Sequence, residues 1–277
     1  MSETLLYSIV LLSALAHAAW NALLKGSHDR LVTLTAFRIV GLCLGVALLP
    51  FVQLPAATSV AWLIGATLAH YAYYALLIQG YRAGDLSFVY PLARGAAPLI
   101  LTLVAFLTIG ETLSGRQVVA VAIICAGVGT LAFAGGGSGT ALAFALLTGS
   151  SIAAYSFLGG VGVRASGSLL GFAAVLEIAT GLGMIAFALR KRGPALLPAL
   201  RSIWPIGFGA GIISVAAYIA YLLAVTHLPL GPVAAVRECS ALFGVLIGVL
   251  ALKEGFGIQR AFAATSMTIG IVLLAVR

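Results

Sequence analysis

Charged side chains are scarce in this chain: they make up 8% of 277 residues, with seven carboxylates against fifteen Lys and Arg. A soluble globular domain carries about 25%, so an ordinary water-facing surface is excluded. Cysteine is scarcer still. Cys43, Cys125 and Cys239 fall inside apolar runs, at spacings that suit neither a metal site nor a disulfide, and read as small packing residues. The sequence contains no hydrolase triad, no metal-ligand cluster and no cytosolic domain. Its glycine clusters follow no strand, which removes nucleotide-binding loops. An enzyme is therefore not expected, nor a metal or other cofactor. The net charge of +8 is spread singly or over short loops, so no nucleic-acid partner is expected either.

What is present is hydrocarbon: 62% of residues are hydrophobic and the mean hydropathy is +1.16. Apolar segments bounded by Gly, Pro and charged residues run over 4–25, 31–51, 60–80, 86–109, 115–133, 140–160, 168–190, 202–225, 231–252 and 257–276. Each is near the ~20 residues that a spanning helix needs. This predicts an all-α membrane protein of ten transmembrane helices. "SALAHA" near the start is similar to a signal-peptidase site, but the chain opens Met-Ser-Glu without a basic region, so the first helix is expected to be retained.

"GGGSG" at 135–139 divides the segments into two sets of five, 1–134 and 140–277, and the sets are related. The same 143 positions separate Arg94 from Arg237 and Glu111 from Glu254 (237 − 94 = 254 − 111), so "RGAAPLILTLVAFLTIGE" aligns with "RECSALFGVLIGVLALKE" without a gap. Trp62 and Trp204 open the third and eighth segments; Trp20 aligns with Tyr155 and Arg38 with Glu177. An odd number of helices per copy inverts the second copy in the membrane. Inverted repeats are typical of secondary transporters, whose sites lie at mid-membrane between the repeats.

With its paired five-helix halves, its "YPLARGAAPL…GETLSG" block and a "GE" or "KE" turn ending each repeat's fourth helix, the whole chain resembles the EamA branch of the drug/metabolite transporter superfamily. That resemblance implies a multi-pass protein of the bacterial inner membrane that moves a small molecule. The opening "ALAHAAWNALLK" is also similar to the first helix of small multidrug resistance proteins, where a proton-exchanging carboxylate occupies the place of His17. A histidine there speaks against multidrug-cation exchange.

Arg94 and Arg237 are the first candidates for substrate contact. An arginine at mid-membrane costs several kcal/mol unless it faces protein or water, and by symmetry both should face one cavity, where they could hold a carboxylate or phosphate. The bland reading makes them structural locks. Adjacent helical residues point about 100° apart, so Glu238 is better placed to pair with another helix than with Arg237. His17, Trp20 and Asn21 share one helix face, and His70, Tyr73 and Tyr74 share another. Tyr218 and Tyr221 repeat the pattern, Tyr155 lies deep in its segment, and Tyr90 precedes Arg94 by one turn. A cavity walled by such aromatics suits a small amphipathic metabolite. Arg38 and Glu177 are expected as a buried pair. Proton exchange is assigned to His17 or Glu177.

Lys and Arg number nine in the odd-numbered loops and three in the even loops and termini, which favours both termini outside; the family resemblance favours both inside. The expectation is a secondary transporter, an exporter of an amino acid or related organic anion, acting as a monomer or weak homodimer with protons as a candidate coupling partner. The rivals are exchange or uptake of a phosphorylated or phosphonate metabolite, and a lipid-handling or accessory membrane protein.

Overall fold

The computed structural model describes residues 1–277 except 26, 28, 84–85, 131–137, 241–242, 244–257 and 276–277. Every regular element among the described residues is helical. In chain order these are α1 (Glu3–Lys25), α2 (Arg30–Leu48), α3 (Val60–Ala83), α4 (Leu86–Ile109), α5 (Gly115–Thr130), α6 (Gly139–Ser166), α7 (Leu169–Arg192), α8 (Leu196–Val225), α9 (Leu230–Glu238) and α10 (Ile258–Ala275). Six stretches of these are long and apolar enough to cross a bilayer, and the last of them, Leu169–Val225, joins α7 and α8 through a short 3₁₀ turn. Large apolar side chains such as Leu12, Leu68, Leu107 and Phe262 are exposed, as they are where the surrounding solvent is lipid. The chain is a helical membrane protein.

Local chemistry fixes several helix ends. Asp29, Ser138 and Ser168 cap α2, α6 and α7 by accepting from the backbone N–H groups of Val32, Ala141 and Gly171. Arg190, Lys191 and Arg192 occupy the last turn of α7, where the helix dipole favours cations. Most segment limits read from hydropathy lie within a few residues of the helices. The main differences are α6, which runs on to Ser166, α8, which starts at Leu196 and carries Pro205 within it, and the ninth segment, whose helix breaks at Cys239. Residues 241–242 and 244–257, with "GVLIG", Lys253 and Glu254, lie outside the described residues, as does Arg277.

Packing brings distant helices together. α3 lies along α6 and α1 along α8; α4 packs on α6 and α1 on α9; α2 pairs with α7 and α5 with α10. At the α2–α7 crossing the backbones approach over glycine. A Cβ on Gly181 would stand 2.8 Å from the Arg38 carbonyl, and one on Gly41 would strike the Glu177 carboxylate.

Candidate functional site

Where α1, α2, α3, α6, α7, α8 and α9 converge they leave a polar cavity at mid-length of the bundle. α1 supplies His17 and Trp20; α2, Arg38; α3, His70, Tyr73 and Tyr74; α6, Tyr155. The lining is completed by Leu176, Glu177 and Thr180 of α7, Ser214 and Tyr218 of α8, and Arg237 of α9. None of these residues is exposed on the surface. The cavity measures about 50 Å³, where one water needs at least ~10–15 Å³. It has room for a few waters, and a metabolite would need the walls to part.

Several polar side chains in the wall are held by identifiable partners. Arg38 Nη1 donates to Glu177 Oε2 at 3.1 Å, and its Nη2 donates to Ser214 Oγ at 3.1 Å. Both charged partners are buried. Trp20 Nε1 donates to His17 Nδ1 at 3.2 Å, with the rings edge to face. The His70 ring bonds the Ala66 carbonyl through Nδ1 at 2.7 Å and stacks on Tyr155 at 4.2 Å. Arg237 is held differently. Its guanidinium carbon lies 4.7 Å from the Tyr221 ring centroid and 5.9 Å from that of Tyr218. Cation–π contact orients such a group without consuming its N–H donors. Arg237 makes no ion pair among the described residues, and its Nε has no hydrogen-bond acceptor. Arg38 Nε and the Tyr218 hydroxyl are likewise buried without a partner.

The two arginines equated by the repeat have different environments. Arg94 forms an ion pair with Glu238 and donates from Nη2 to Ser240 Oγ at 2.7 Å. It lines neither the cavity nor the narrower gap beside it, which Tyr221, Arg237 and Glu238 flank. This corrects its expected place in the cavity wall: Glu238, one residue beyond Arg237, points to α4 and takes Arg94 as partner. The side chains of Asn21 and Tyr90 are outside those described. Of the other expected residues, His17, Trp20, Arg38, His70, Tyr74, Tyr155, Glu177, Tyr218 and Arg237 meet at the cavity. Leu176, Thr180 and Ser214 were missed: a lone Ser or Thr in an apolar helix carries no signal that separates a site from packing. No group of three His, Cys, Asp or Glu able to hold a metal occurs among the described residues.

Two further ion pairs sit at helix ends. Arg164 of α6 reaches Glu111 at 3.1 Å and donates to the carbonyls of Val225 and Leu228, while Glu111 accepts from the Leu230 N–H that opens α9. Arg192 pairs with Asp29. All four ion pairs among the described residues join a residue before 134 to one after 139.

No family model matches the chain, and no curated protein does. A solved structure described only as "Crystal structure of protein" superposes with a TM-score of 0.72, covering 98% of this chain and 96% of the other at 17% identity. The likeness is one of fold, over nearly the whole length of both chains.

Proposed function

We propose that this protein is a secondary transporter of the EamA branch of the drug/metabolite superfamily. In this reading it has ten spans in two inverted five-helix repeats in a bacterial inner membrane, and exports a small anionic metabolite, an amino acid or related organic acid, by alternating access. The observation that carries it is the buried polar cavity to which helices of both halves contribute, with Arg237 Nε left without a protein acceptor among the described residues. A structural polar core would pair such a group, because an unsatisfied donor away from water costs free energy.

Packing supports the repeat. Exchanging the halves maps α1–α8 onto α6–α3, and α4–α6 onto α9–α1, and returns α2–α7 and α5–α10 to themselves. The match is incomplete, and the largest break between fully described helices is at α2. α2 lies along α8 with Ala36 against Gly207 and Val40 against Gly211, while α7 touches α3 far less. A carrier closed at one end has this asymmetry, and exchange of the two packings would open that end and close the other.

The test is flux in proteoliposomes, with a panel of radiolabelled carboxylic and amino acids. Saturable, counter-substrate-stimulated flux that Arg237→Gln abolishes is expected. Protein that folds and shows no flux of any of them sinks the reading.

A further inference from the structure

We infer that the cavity selects a ligand with one net negative charge and rejects doubly charged anions as well as cations. The inference rests on the reading above that this cavity is the binding site, and deepens it by fixing the ligand's charge.

Charge balance decides. Three ionised side chains line the cavity: Arg38, Arg237 and Glu177. The two histidines are neutral at pH 7.5, above their ordinary titration range, and His17 Nδ1 accepts a hydrogen bond, a role closed to an imidazolium. Arg38 and Glu177 neutralise each other at 3.1 Å. The Arg94–Glu238 pair just outside the wall cancels in the same way. Among the described residues one positive charge is left over, that of Arg237. A monoanion brings the enclosed total to zero. A dianion leaves one negative charge uncompensated at low dielectric, while a zwitterion leaves the positive charge as it stands in the empty cavity, so among amino acids the rule favours those with a net charge of −1. A phosphate monoester, at −1.5 to −2 near neutral pH, is therefore excluded by the same sum that admits a carboxylate.

The hydrogen-bond groups agree. Among the described residues Arg38 Nε and Arg237 Nε are buried, lack protein acceptors and can only donate; the Tyr218 hydroxyl is buried without a partner there as well. Such a wall asks for a ligand rich in acceptors. Charge is still the discriminator, because carboxylate and phosphate both supply acceptors.

Trp20 lines the cavity and reports on it. In a Trp62→Phe, Trp204→Phe background it is the remaining tryptophan. The probes are benzoate, methyl phenyl phosphate (a diester with one charge), phenyl phosphate (two charges) and benzylammonium, titrated at pH 7.5. Saturable changes in Trp20 emission are expected with the two monoanions, at least tenfold weaker binding with phenyl phosphate, and none with benzylammonium. Arg237→Gln should lose at least tenfold for both monoanions. Glu177→Gln raises the enclosed charge by one and should narrow the gap between phenyl phosphate and benzoate at least tenfold. The diester–monoester comparison needs no variant, so it stands even if Glu177→Gln fails to fold. Equal binding of the two phosphates, or silence with both monoanions, overturns the charge rule. Binding that follows the rule without flux in liposomes overturns the transport reading alone. Flux of a neutral or cationic compound that monoanions do not inhibit overturns the charge rule alone.

Discussion

Arg94 on α4 and Glu238 on α9 form an ion pair whose side chains are 1% and 3% exposed. Removing one partner of a buried pair strands the other charge, at a cost of about 3–5 kcal/mol, whereas replacing both with apolar residues is often neutral. Arg94→Met and Glu238→Met should each sharply lower the melting temperature of the purified protein, and the double variant should recover most of the loss. Additive losses in the double variant would show that the two residues act separately.

Gly181 lets α7 approach the Arg38 backbone. Gly181→Ala puts a methyl group against the Arg38 carbonyl and Leu42, and should cost about 1–3 kcal/mol as overpacking. Thermal unfolding in detergent measures it. An unchanged melting temperature would mean that the α2–α7 contact yields easily.

Protonation of His17 Nδ1 must break its hydrogen bond from Trp20. If His17 exchanges the coupled proton, Trp20 emission should change on acidification, and His17→Gln, which keeps an acceptor, should hold it constant. Flux assays divide the two candidates for coupling. A full pH response retained in both His17→Gln and Glu177→Gln excludes these residues as proton carriers.

Tyr71 bridges α3 to α7 by donating to the Ala179 carbonyl at 2.6 Å. Interhelical bonds of this kind average ~0.6 kcal/mol and reach ~1.7. Tyr71→Phe should lower stability within that range, and a larger loss would point to packing rather than the hydroxyl.

Hydropathy located α4 at its observed limits because Leu86–Ile109 is apolar and bounded on both sides. It started α8 too late, since Leu196–Arg201 mixes Pro and Arg with apolar residues and reads as a loop. Helical spacing identified the His17–Trp20 and His70–Tyr74 faces, because residues three and four apart share one side. It could not rank Arg94 against Arg237. The repeat makes them equivalent, and the difference is made by Glu238, which has no acidic counterpart beside Arg94 and so breaks the symmetry. Long-range pairing of this kind depends on which helices adjoin, and that information is absent from the period of either helix.

Because all four ion pairs among the described residues span the two halves, the order of synthesis matters. The first five segments leave the ribosome with Arg38 and Arg94 still lacking the carboxylates that will neutralise them. On insertion scales a central arginine costs about 2.5–3.5 kcal/mol, so the nascent first half stays exposed to quality-control proteolysis until its sequel is made. Fragment 1–134 expressed alone should be degraded, and co-expression with 140–277 should rescue it. Each half thus acts as an obligate assembly factor for the other.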